Sequence, residues 1–183
     1  MKAGKAALAI LSAALLLAAN FHVVYHVSVA GEEIPGSFSA STLESCDAAA
    51  RAAAEEIARA EGGSADYEKR AALTLSPPDG DELALTRALL ENTGGVGTAW
   101  TVSVGGADLG NVNDPSALGE VLESILASGA VPGAVGAEFT EKIDLRRVFV
   151  PEGSDYDLME TARAVRGAVE VLSVTADGTV RYG

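Results

Sequence analysis

The sequence predicts an α+β protein, built as an N-terminal hydrophobic leader helix, two tandem related units of β-hairpin, helix, strand and helix, and a terminal strand. Three observations predict it. The segment Tyr25-His26-Val27-Ser28-Val29-Ala30-Gly31 recurs 75 positions later as Trp100-Thr101-Val102-Ser103-Val104-Gly105-Gly106, and the register holds downstream, with Ile34 over Leu109 and Leu43 over Leu118. In both copies branched apolar residues alternate on either side of a two-residue turn that ends in glycine, the pattern of a tight hairpin with positive φ. A helix-start signal follows each hairpin. At 183 residues and 48% hydrophobic, the chain can bury one or two modest cores.

The leader comes first. Met1 to Lys5 is short and basic, and Ala6 to Ala19 is apolar except for Ser12. A basic start followed by an apolar run is the pattern of an export signal. The stretch continues through Phe21, Val23 and Val24 to about the ~20 residues that span a bilayer, so residues 1–24 read as a signal peptide or a membrane anchor. Leu17-Ala18-Ala19 resembles a small-x-small processing site only loosely, and cleavage is left open.

Residues 25–93 form the first unit. Val27, Val29 and Ile34 alternate around Ala30-Gly31. A helix then starts at the capping pattern Ser41-x-x-Glu44, carries the stripe Leu43, Cys46, Ala50, Ala53 and Ile57, and stops at Gly62-Gly63. A strand over 71–75, the turn Ser76-Pro77-Pro78-Asp79-Gly80 and a helix over 81–92 complete it.

Gly94-Gly95-Val96-Gly97 sits in a linker over 94–99, and the second unit covers 100–168. Its hairpin is followed by Asp114-Pro115, an N-cap with proline at the first helical position. Leu118, Val121, Leu122, Ile125 and Leu126 fall on one helical face, and Gly129 stops the helix. Gly129-Ala130-Val131-Pro132-Gly133 reads as a loop, 142–150 as a strand, and 154–166 as a helix opened by Ser154-x-x-Asp157. Residues 169–183 supply a terminal strand, 169–174, and a turn at Asp177-Gly178 into Thr179-Val180-Arg181-Tyr182, a pattern expected for the start of a further β domain, with this chain as the front of a longer protein.

Charge narrows the partners. The 13 basic side chains face 26 acidic ones, giving a formal charge of -13, and two of the basic ones, Lys2 and Lys5, belong to the leader. Nucleic acid, which is bound through clustered Lys and Arg, is excluded as a partner, and anionic lipid or wall polymer is disfavoured.

Candidate chemistry is sparse. His22 and His26 have the four-residue spacing of a helical zinc pair, but Val23-Val24-Tyr25 between them favours extended chain. Asp155, Asp157 and Glu160 could hold calcium, yet their place at a helix start matches carboxylates that favour the positive end of the dipole. Cys46 is the single cysteine, cannot form an internal disulfide and falls on the apolar stripe as a small buried hydrophobe. Neither Gly-rich stretch is followed by a Lys-Ser/Thr pair, so phosphate cradling is unsupported. Tyr25 and Trp100 occupy equivalent hairpin positions, suited to packing at the hairpin base or to sugar stacking. No catalytic residue, cofactor site or metal site is assigned.

The form V-x-V-x-G-x-x-[I/L]-G followed by a helix is carried by Val27, Val29, Gly31 and Ile34, and again by Val102, Val104, Gly106, Leu109 and Gly110. With the leader before it and a closing strand after, the chain resembles the N-terminal extracytoplasmic region of Gram-positive murein endopeptidases of the lysostaphin type. Copy one departs in having Pro35-Gly36 where copy two has Gly110-Asn111. In that family the region precedes a glycine-rich β domain, often a LysM peptidoglycan-binding module, and a zinc peptidase domain. The family's zinc site, H-x-x-x-D followed by H-x-H, is not in this chain, which has His22 and His26 alone. The resemblance therefore implies a non-catalytic envelope module, exported and either membrane-anchored or secreted, with the membrane, peptidoglycan or other envelope proteins as partners. A complete small exported binding protein for a peptide, glycan or small ligand is the alternative, and an exported enzyme with an unrecognised site ranks last.

Overall fold

The computed structural model describes residues 21–59 and 63–182. Most of the leader lies outside them. The chain divides into two compact units at Val96/Gly97. Among the described residues it is a mixed α+β protein with four helices and three small antiparallel sheets.

The first unit runs β1 (His22–Val29), β2 (Glu32–Phe38), α1 (Ala40–Ala58), β3 (Tyr67–Thr74) and α2 (Glu82–Glu91), with strand order β2-β1-β3. Val23 and Val24, read as the end of the leader, belong to β1, and Val24 is buried. The hairpin turn is Ala30-Gly31, at φ 51° and 83°. Two positive φ values in succession give the turn whose twist matches that of the strands it joins. Val27 lies opposite Ile34 and Val29 opposite Glu32. Beyond Ile34 the register slips, and Tyr25 faces Phe38. The extra residues fall on Pro35 and Gly36, where the two copies differ in sequence, and β2 survives there as a bulged strand.

The cap of helix α1 lies two residues before the expected one. Ser39 is the N-cap, its hydroxyl accepting from the Thr42 N–H at 3.0 Å, so Ser41 lies inside the first turn. The helix ends at Ala58, with Arg59 left-handed at φ 50°, ahead of the stop expected at Gly62-Gly63. Leu43, Cys46, Ala50 and Ala54 are buried, while Ala53 and Ile57 are half-buried. Strand β3 starts at Tyr67 rather than Ala71; its Glu68, Lys69 and Arg70 hide the apolar alternation because they lie on an exposed edge strand. Helix α2 fills the expected interval, capped by Asp81, whose carboxylate accepts from the Leu83 and Ala84 N–H groups. Leu85 and Leu89 close the core between α1 and α2.

The second unit runs β4 (Val96–Val104), β5 (Ala107–Val112), α3 (Pro115–Gly129), β6 (Ala134–Phe139), β7 (Ile143–Pro151), α4 (Leu158–Ala168), β8 (Val171–Thr175) and β9 (Val180–Tyr182). Its first sheet has order β5-β4-β7. Residues 96–99, expected in a linker, open β4 instead. The turn Gly105-Gly106 has φ 57° and 84°, and Val104 faces Ala107 as Val29 faces Glu32. Asp114 caps α3 by accepting from the Ser116 N–H, with Pro115 in the first turn. The core gathers Val102, Val104, Val112, Leu118, Ala162 and Val165, with Trp100 and Leu109 packed against it.

Strand β6 was not expected from the sequence. It pairs antiparallel with β8, which pairs with β9, so the terminal segment joins the second unit as a separate sheet of order β6-β8-β9. Helix α4 starts four residues later than Ser154, because Asp157 is the cap, accepting from the Met159 and Glu160 N–H groups, while the Ser154 hydroxyl donates to the Pro151 carbonyl.

Replacing Gly106 by Val is expected to destabilise the second unit by about 1–2 kcal/mol, because a β-branched residue is forced into the left-handed region. No neighbour lies within 4 Å of a Cβ built there, so the loss would report backbone strain and not overlap. Thermal unfolding that is unchanged in this variant would refute the turn.

Candidate functional site

The first unit carries an open groove of about 580 Å³ along β1, lined by Val24, His26, Glu33, Pro35, Ala72 and Asp79 among others. It exists because β2 bulges. Gly36, at φ 92°, brings its backbone against the turn after β3, where a Cβ would stand 2.6 Å from the Gly80 Cα. A Cβ on Gly80 would in turn overlap the ring of Phe38, which is 1% exposed. Two glycines are needed where the two backbones and the ring converge.

Ser37 and Asp79 fasten this junction. The Ser37 N–H and hydroxyl both donate to Asp79 Oδ1 at 2.9 Å, and the Asp79 and Gly80 N–H groups donate back to the Ser37 carbonyl at 3.1 and 2.8 Å. The Ser37 hydroxyl, then its N–H, hold the Asp79 carboxyl below the ordinary carboxylate value, and His26 across the groove lowers it further. The groove therefore presents an imidazole, the Glu33 carboxylate and a fixed carboxylate beside apolar Val24 and Ala72. Such a lining can orient a polar ligand by hydrogen bonding. A smaller concavity of about 270 Å³ lies at the hairpin turn between Gly31, Asp66, Tyr67 and Asn92.

The residues singled out in the sequence do not converge. His22 and His26 both lie in β1, opposite Thr74 and Arg70, and four residues of extended chain separate them by about 13 Å, too far for one metal ion. Asp157 is a helix cap, and Glu160 lies in the first turn of the same helix. Among the described residues no group of three or more His, Cys, Asp or Glu side chains could hold a metal ion. Cys46 is free and buried, with its Sγ 3.6 Å from the Glu82 carbonyl oxygen. Neither Gly-rich stretch opens a helix: Gly94 and Gly95 lead into β4, and the segment from Gly129 to Gly133 joins α3 to β6. Tyr25 packs in the sheet opposite Phe38 with the Lys69 ammonium 5.6 Å from its ring centre, and Trp100 packs against the second core.

In the second unit Asp177 is a turn residue. The Thr175 hydroxyl, then the Thr179 N–H, donate to it and hold its carboxyl at about 2. The sequence reading missed Ser37, Gly36 and Phe38 as site-forming residues. The available signals were the paired turn signatures at Pro35-Gly36 and Pro78-Asp79-Gly80, and neither says that it meets the other. Comparison with protein-family models, with curated proteins and with solved structures finds no match to this chain.

Proposed function

We propose that the chain is a non-catalytic extracytoplasmic module of a bacterial cell-envelope protein, the N-terminal part of a peptidoglycan hydrolase, acting as a spacer or positioning element. It consists of a leader that targets the membrane and two units descended from one by duplication. The observation that supports this most is the recurrence of a hairpin, a helix, a strand paired with the hairpin's first strand, and a second helix, interrupted in the second unit by the inserted β6, with strand orders β2-β1-β3 and β5-β4-β7 and hairpin glycines at Gly31 and Gly106. A basic-then-apolar N-terminal sequence ahead of that array supports export. Any zinc-dependent hydrolysis belongs to a separate domain, since His22 and His26 are the two histidines of this chain. Its partners are the membrane through the N-terminal segment, and peptidoglycan or other envelope proteins.

The test is where the chain goes. The full chain, tagged at its C-terminus and produced in a Gram-positive host, is expected in the membrane or culture fraction, with the tag digested by protease added to intact protoplasts. A cytosolic, protease-protected tag would overturn the proposal. The groove beside His26 and Asp79 favours a second reading, a small exported binding protein. Sedimentation with purified peptidoglycan separates the two: retention supports an envelope module, whereas no retention together with His26 and Ser37 resonance shifts on adding a soluble muropeptide supports the binding protein.

A further inference from the structure

We propose that the end of the β1–β3 ladder nearest the leader rests on a lipid bilayer through a patch of Phe21, Val23, Leu73 and Leu75. The proposal depends on the membrane reading of the leader. These four side chains are 48%, 56%, 72% and 60% exposed. Val23 and Leu73 are directly opposite each other in the antiparallel register, so they share a face with Cβ atoms about 5 Å apart. Phe21 and Leu75 lie two residues further out, one on each chain segment. Single exposed apolar residues are ordinary, but four gathered at one end of a sheet mark a surface that meets something apolar.

Chain connectivity identifies the partner. The nearest acidic side chain beyond β3, Asp79, follows this end of the sheet with its carboxylate taken up by the Ser37 N–H and hydroxyl. Only Asn20 separates Phe21 from the apolar run of Ala6 to Ala19. If that run enters a bilayer, the patch is held at the headgroup boundary, where apolar side chains bury about 5–10 Å deep.

The full chain carrying Leu75→Cys, labelled with an environment-sensitive fluorophore while Cys46 stays buried, tests this in phosphatidylcholine vesicles with and without brominated acyl chains. Expected are a blue-shifted emission, quenching by brominated lipid, and loss of that quenching when Val23→Thr and Leu73→Gln are added. Circular dichroism of the triple variant checks that it folds. A chain that floats with the vesicles while its label stays open to iodide would overturn the proposal and leave the anchor standing. Protection from iodide without quenching by brominated lipid, together with concentration-dependent cross-linking, would also overturn it, by showing that a second copy covers the patch. Failure to float would remove the anchor and the proposal together.

Discussion

Replacing Phe38 by alanine is expected to lower the stability of the first unit by about 3–5 kcal/mol, the range for truncating a buried aromatic. Phe38 is 1% exposed, faces Tyr25 across the β1–β2 ladder, and fills the space that Gly80 leaves by having no side chain. The loss would appear as a lower midpoint in denaturant unfolding followed by far-ultraviolet circular dichroism. A cycle with Gly80→Ala isolates the contact. Beside Phe38 the new methyl group overlaps the ring and costs about 1–3 kcal/mol, whereas in a Phe38→Leu background the cost should shrink. Equal costs in both backgrounds would mean that the ring does not pack against Gly80.

Leu43→Ala and Leu118→Ala should each cost about 2–5 kcal/mol, the range for truncating a buried leucine. The two residues stand 75 positions apart in the same place on α1 and α3, at 3% and 1% exposure. Leu118 belongs to a core made wholly of second-unit residues, and Leu43 lies on the buried face of α1 with Cys46 and Ala50. Amide exchange would check the pair, with the first variant speeding exchange in β1 and β2 and the second in β4 and β5. A negligible loss at either position would break the equivalence on which the duplication rests.

How much of this was legible in the sequence depends on whether the signal is local. The hairpin turns at Gly31 and Gly106, the helix over 81–92 and the Asp114-Pro115 start of α3 are signalled locally, and the structure has each of them, the second as α2 with Asp81 as its cap. Caps were misplaced where several eligible side chains crowd together. Ser39 and Ser41 both precede α1, Ser154 and Asp157 both precede α4, and only the backbone around them decides which one accepts the free N–H groups. Strand β6 was invisible because Ala134-Val135-Gly136-Ala137-Glu138-Phe139 has weak β propensity, and what holds it is β8, more than thirty residues on. The groove is harder still to read. It depends on Ser37 meeting Asp79 across 42 positions, and no pattern within either turn encodes the other.

The central place of β1 has a mechanical consequence. This strand is bonded along both edges, to β2 and to β3, and it is also the first element after residues 1–20. Tension arriving along the chain from that side, in the direction of the strand, must shear two ladders at the same moment instead of peeling one open bond by bond. Unfolding under load is governed by the rate of such a step rather than by equilibrium stability. The first unit is thus wired to resist being drawn out from its N-terminal end, the loading that a tethered protein meets.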